Sequence, residues 1–148
     1  MVAGEDDEIS RWLSGGRSTL ATTEAYLARV ARWWADDGPN YCFGIRVGDV
    51  LAGTIDAQTA QPYLAPGQVN LAYCVYQPFR RRGIAVRAVG LMVRFLTGRP
   101  GLVDAVIRTD VANPASAAVA RSAGFTWTHR TDDSHGHLDW HTRPLRAG

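Results

Sequence analysis

A mixed α/β (α+β) fold, one mostly antiparallel sheet flanked by helices, is predicted by three features of this sequence. Val69, Leu71, Tyr73 and Val75 alternate as they would on a half-buried strand. After a short Arg/Gly-rich stretch, Ala85, Ala88, Val89, Met92, Phe95 and Leu96 recur at the i, i+3, i+4, i+7 spacing of a buried helix stripe. Pairs of strand-like runs joined by turn residues lie on either side of this unit, the first pair reading as a hairpin.

Taken in chain order, Glu5 to Leu13 reads as a helix with Ile9, Trp12 and Leu13 on one face, ended by Gly15-Gly16. Ser18 to Thr23 is a polar connector. A second helix is expected from about Thr23 to Trp34, with Glu24 in its first turn and Leu27, Val30 and Trp34 inward, stopped by Asp36-Asp37-Gly38-Pro39. Strands near Cys42–Val47 and Leu51–Thr59 form a hairpin through Gly48-Asp49. Pro62 and Pro66 mark a loop before the central strand, Val69–Val75, and the main helix ends near Thr97-Gly98. Val103–Thr109 is a strand and Pro114–Ala123 a helix. Thr126–Arg130 and Leu138–Thr142 are strands joined by a turn over Asp132-Asp133-Ser134-His135-Gly136. No repeat or composition shift divides the chain, so residues 1–148 read as one domain.

The 148 residues, 46% apolar and 20% charged, are enough for one ordinary core. A net charge of only +2 argues against a general nucleic-acid binder, because the basic character is local and lacks interleaved aromatics. All 16 basic positions are arginine, which reads as codon usage rather than a functional code. Cys42 and Cys74 fall on separate strands without metal spacing, so reduced thiols are expected. The four histidines (His129, His135, His137, His141) follow strand alternation plus a turn rather than a ligand pattern, and no metal is expected. No apolar run approaches the ~20 residues that cross a bilayer, and the acidic start is unlike a signal peptide, so a cytoplasmic location is expected.

The chemistry-bearing stretch is Val75-Tyr76-Gln77-Pro78-Phe79-Arg80-Arg81-Arg82-Gly83-Ile84-Ala85. A strand, an Arg/Gly loop and a helix N-terminus together suit a phosphate. The first helical N–H groups lack internal partners, the dipole is positive there, and Gly83 lets an anion approach the backbone. Arg80, Arg81 and Arg82 add attraction and phosphate contacts. Neither a P-loop nor a dinucleotide fingerprint is present. Downstream, Asn113-Pro114-Ala115-Ser116 reads as an N-cap followed by a proline at the first helical position. Gly124-Phe125 reads as a left-handed terminator with its closing hydrophobe.

Arg80-x-x-Gly83-x-Ala85, followed by Asn113-x-x-Ser116 and Gly124-Phe125, resembles the GNAT superfamily of N-acetyltransferases, nearest the branch of ribosomal-protein N-terminal acetyltransferases. The resemblance covers essentially the whole chain, except that the family's usual first strand is absent or shortened. It implies a sheet splayed between the central strand and the next, with acetyl-CoA as acyl donor lying in the gap. Val75, Gln77, Arg80, Arg81, Arg82, Gly83, Ile84, Ala85 and Asn113 would contact it. An edge left open on the Cys42–Val47 strand leads to an expectation of a homodimer.

Acetyl transfer to an amine also needs an oxyanion donor, a route for the amine's proton and a proton for the thiolate. Backbone N–H groups near Val75 are the expected oxyanion donors. An alkyl amine, with a pKa of about 10.4, arrives protonated. No Glu lies on the central strand, and Asp56 is the nearest acid by topology, with a solvent-facing strand-end aspartate as the competing reading. Asp132, Asp133 and Asp139 are weaker candidates in or beside a turn. Where many relatives carry a proton-donating Tyr, this chain has Ala120. Ser116 matches the alternative donor of the branch it resembles, or else serves only the helix terminus. Tyr26, Trp33, Trp34 and Tyr41 would wall the acceptor groove, although Trp33 and Trp34 cannot both face inward. The expected partner is a primary amine, either a small molecule or a protein N-terminus. A non-catalytic acyl-CoA-binding module is the alternative.

Overall fold

A computed structural model of the chain describes residues 20–134 and 136–146. The expected Glu5–Leu13 helix, the question of the first strand, and His135 lie outside the described residues. Nine elements follow: α1 (Leu20–Ala35), β1 (Asn40–Val47), β2 (Val50–Gln58), β3 (Gln68–Val75), α2 (Ile84–Leu96), β4 (Asp104–Asp110), α3 (Pro114–Ser122), β5 (Thr126–Asp133) and β6 (Gly136–Pro144). A 3₁₀ turn over Gln77–Phe79 leads from β3 towards α2.

The strands form one six-stranded sheet in the order β1-β2-β3-β4-β6-β5, and only the β3–β4 pair is parallel. The Cys42–Val47 strand is indeed at an edge, with β2 as its partner among the described strands. α2 and α3 cover one face. There Val89, Met92 and Leu96 of α2 and Ala120 of α3 pack into one core with Ile55, Val69, Leu71 and Ile107 from the sheet. The expected α2 stripe holds with three adjustments, the first being that Ala85 is only half-buried. Val93 is buried as well, and Phe95 is only partly buried, within an aromatic group formed with Trp34, Tyr41 and Phe43.

Several boundaries move for physical reasons. α1 begins at Leu20, so the expected connector is partly helical and Glu24 lies beyond the first turn. Leu27 is 54% exposed rather than inward, because α1 runs along the β1 edge and only part of its circumference meets the sheet. Val103 is exposed and precedes β4, its N–H donating to Gly67 O instead of joining the ladder. The turn expected over Asp132 to Gly136 is shorter, since Asp133 and Gly136 still pair. Both cysteines are free. No described helix is long and apolar enough to cross a membrane.

Candidate active site

The β3–β4 pairing stops early. Only Gln68↔Asp104, Val69↔Ala105 and Asn70↔Val106 are in register, whereas β2 follows β3 as far as Gly53↔Val75. From Leu71 to Val75 the β4 side of β3 therefore has no strand against it. Tyr76 N–H donates to Ala52 O on β2 at 2.7 Å. N–H direction alternates along a strand, so the Val75 N–H points the other way, into the gap. β2 is held tightly behind it: a Cβ on Gly53 would lie 2.1 Å from Cys74 O, so only glycine allows the approach.

At the mouth of the gap the chain turns through two left-handed residues, Arg81 (φ 63°) and Gly83 (φ 73°), into α2. Gly83 is the N-cap of α2 and offers no side-chain acceptor, so the first-turn N–H groups stay open to an anion. Space beside Gly83 is also open, with nothing within 4 Å of a Cβ placed there. The three arginines differ in role. Arg80 Nε donates to Val75 O at 2.9 Å, bracing the loop against the end of β3, whereas Arg82 sits over the Phe79 ring with its Cζ 5.8 Å from the centroid. Gln77 opens the 3₁₀ turn between strand and loop. The residues fit the pyrophosphate of an acyl-CoA here and its pantetheine arm along the unpaired side of β3.

Ser116 and Asn113 meet at the start of α3, where the Asn113 side chain accepts from Ser116 N–H at 3.3 Å, the expected N-cap. The Ser116 hydroxyl is engaged elsewhere: it lies 3.1 Å from the Tyr73 hydroxyl, which also donates to Ser116 O at 3.3 Å. Tyr73 comes from the splayed part of β3 and faces the helices. Burial raises its pKa, and the hydrogen bond to Ser116 works against that rise. Tyr73 was read in the sequence only as one beat of a strand pattern. Nothing in the spacing relates it to Ser116, because the contact spans two separate elements.

On the opposite face, Asp56 of β2 is drawn out of solvent and its pKa is raised by that burial. Tyr26 of α1 donates to its carboxylate, with 3.2 and 3.3 Å to the two oxygens, and also lies 3.4 Å from Cys42 Sγ. The reading of Asp56 as a solvent-facing aspartate is thereby overturned, since α1 crosses above this part of the sheet. The Cys42 thiol is pushed up to about 11, chiefly by burial. Trp33 packs edge-on to Tyr26, which resolves the Trp33-Trp34 conflict: Trp34 turns to the helix-covered side against Phe43 and Phe95, its Nε1 donating to Cys42 O. Tyr41 is in the core, 7% exposed, with its hydroxyl donating to Asp37 O. Of the four aromatics, Tyr26 and Trp33 lie together near Asp56, while Trp34 and Tyr41 serve packing.

Asp139 is held by Arg130 and Trp127, which lower its pKa, and is thereby committed to the β5–β6 surface. His137 pairs with Asp132 at 3.3 Å, His129 stacks on Trp140, and His141 is buried. Among the described residues no cluster of His, Cys, Asp or Glu could hold a metal ion.

A sheet parted beside its central strand, with an anion-accepting helix N-terminus at its mouth and hydroxyl donors within, defines an acyl-CoA-dependent acyltransferase class. Residues 2–126 match the family model described as an acetyltransferase (GNAT) domain, and the chain belongs to that acetyltransferase family. No curated protein sequence matches. Among solved structures the chain is similar to RimL, a ribosomal L7/L12 alpha-N-protein acetyltransferase in complex with coenzyme A. The TM-score is 0.83 at 16% identity, covering 97% of this chain and 84% of that one. It is also similar to an acetyl transferase from Salmonella typhimurium that modifies the N-terminal serine of ribosomal protein L7/L12 (TM-score 0.82, 17% identity, 97% and 84% covered). A third is aminoglycoside acetyltransferase AAC(6')-Ib with coenzyme A and kanamycin (TM-score 0.78, 15% identity, 94% and 83% covered).

Proposed function

We propose that this chain is an N-acetyltransferase that moves the acetyl group of acetyl-CoA to a primary amine by direct attack of the amine nitrogen on the thioester carbon. The observation that carries the reading is the division of labour across the parted sheet, with a hydroxyl pair on the helix side and a shielded carboxylate on the other. Arg80 to Ala85 and the α2 N-terminus hold the pyrophosphate. The Val75 N–H faces the charge that develops on the thioester oxygen. Asp56, oriented by Tyr26, holds the incoming ammonium and takes a proton from it, directly or through water, so that the nitrogen lone pair is free to attack. As the new C–N bond forms and the C–S bond breaks, the thiolate receives a proton from the Tyr73–Ser116 pair, and the second proton shed by the nitrogen as it becomes an amide returns through water to restore the phenol. A phenol is the more acidic of the two hydroxyls, so Tyr73 is the ultimate donor and Ser116 positions or relays.

Release of free CoA thiol from acetyl-CoA, followed over a panel of primary amines, tests the reading. Amine-dependent release with one acetylated product per thiol is expected. Tight acetyl-CoA binding with no amine-dependent release from any member would leave an acyl-CoA-binding module instead.

A further inference from the structure

The face of the sheet that carries Asp56 also holds a cation that acetyl transfer as described does not use. Arg108 lies on β4 two residues beyond Val106, the last residue paired with β3, and so about 7 Å past the vertex of the splay. The pairings Cys42↔Asp56, Asp56↔Ala72 and Arg108↔Trp140 fall on one row across the sheet, broken only where β3 and β4 part. Strand alternation puts Arg108 on the Asp56 face, and its packing on Trp140 agrees. Carboxylate and guanidinium thus stand on opposite sides of the gap, with the single methyl of Ala72 between Asp56 and the opening.

The Arg108 guanidinium is stacked, its Cζ 3.3 Å from the Tyr63 ring centroid and 5.4 Å from that of Trp140. Stacking satisfies the faces of the cation and leaves its in-plane N–H groups to find acceptors. Among the described residues Nε and Nη1 are buried without a hydrogen-bond partner, and no described carboxylate pairs with the guanidinium. A desolvated cation with no anion is costly, and rings that fix its plane without neutralising it are suited to a site whose anion comes with the ligand.

We propose that the acceptor is a small amine that also bears a carboxylate, of the amino-acid class, with its carboxylate on Arg108 and its nitrogen towards Asp56 and Tyr26. The inference rests on the acetyl-transfer reading above. Two inter-strand steps separate the β2 and β4 backbones by about 10 Å where the sheet is paired, and by more at this row beyond the splay. The long arginine side chain shortens what the ligand must span to a few bonds, a distance a small zwitterion meets.

The test compares amino acids with their carboxamides, which share the amine and differ in charge, using acetyl-CoA and thiol release. At least one acid should exceed its carboxamide by tenfold or more in kcat/KM. In Arg108→Gln that advantage should vanish, mostly through KM, and Arg108→Lys should restore part of it. Acetyl-CoA affinity, measured by calorimetry on each variant, reports that the variant is folded. Equal or better turnover of the carboxamides, no turnover of any carboxylate-bearing amine by protein that binds acetyl-CoA, or an unchanged preference in Arg108→Gln would each overturn the proposal. So would a preference for succinyl-CoA over acetyl-CoA that disappears in Arg108→Gln, since Arg108 would then read the donor. Failure of the wild-type protein to bind acetyl-CoA strikes the acetyl-transfer reading itself, and this proposal with it.

Discussion

Tyr73 and Asp56, side chains on neighbouring strands that alternation sends to opposite faces, would take opposite roles in the proposed reaction. Tyr73 shares its hydroxyl with Ser116 on the helix side. Tyr73→Phe removes the stronger acid and leaves the serine, so kcat should fall about 10²-fold, the usual scale of a single proton-transfer contribution. Ser116→Ala should cost less, because a thiol with a pKa of about 8.5 departs without a strong acid and the phenol remains. Steady-state kinetics on both variants decide the order, and a larger loss for Ser116→Ala than for Tyr73→Phe would reverse the assignment. For Asp56, burial raises the pKa while the hydrogen bonds from Cys42 and Tyr26 oppose it. An acid whose folded pKa is raised binds more protons when folded, so its contribution to stability falls as pH rises through the window between its unfolded and folded pKa values. Above that window the charged Asp56 burdens the fold. Asp56→Asn should leave the melting temperature unchanged or higher while lowering kcat/KM by about 10²-fold or more. A destabilised Asp56→Asn with intact turnover would make Asp56 a structural residue.

At the level of elements, the turn proposed to bind phosphate would depend on backbone shape more than on its arginines. Arg80 is partly spent on bracing Val75 O, and Arg81 accepts a left-handed φ that a non-glycine residue adopts at some cost. Gly83 sets the entry of α2 at φ 73° and keeps the approach to the first-turn N–H groups clear. Gly83→Val puts a β-branched side chain where that φ is strained by roughly 1–2 kcal/mol, and places it in the path of the anion. For the wild-type protein, acetyl-CoA at one hundred times its Kd should stabilise by about 2.7 kcal/mol, since only the native state binds it. In Gly83→Val this ligand-induced rise in melting temperature should be lost, with a small fall in the ligand-free value. Thermal unfolding with and without acetyl-CoA measures both, and a Gly83→Val protein with a full ligand response would mean that the pyrophosphate is held elsewhere.

Across the whole molecule, the sheet is closed on its helix side by a continuous core and parted beside β3, so the cleft is built into the topology. β4 pairs along its whole length with β6 but for only three residues with β3, so the splay belongs to a stable element rather than to a loop. The chain has six described strands and three described helices in the order expected of a GNAT sheet. α1 reaches both sides at the β1 edge, sending Trp34 to the core aromatics and Tyr26 to Asp56, which ties the fold of this edge to the acceptor side of the cleft.

Local rules made much of this legible in the sequence. Alternation and helical periodicity located the strands and α2. The Asn113 cap, the Pro114 start and the left-handed Gly124 (φ 86°) marked α3 at both ends, and Arg80-x-x-Gly83-x-Ala85 marked the turn from β3 into α2 proposed to hold acyl-CoA. Each of these signals is carried by residues close together along the chain, so a short window of sequence contains the physics that produces it. The Tyr73–Ser116 contact, the shielded Asp56 carboxylate and the stacked Arg108 guanidinium are of another kind. Tyr73 meets Ser116 across 43 positions and Tyr26 meets Asp56 across 30, while Arg108 is set apart by two buried guanidinium nitrogens with no hydrogen-bond partner among the described residues. Those properties come from burial and from distances between elements. They exist only once the sheet has parted and α1 has been laid across its edge.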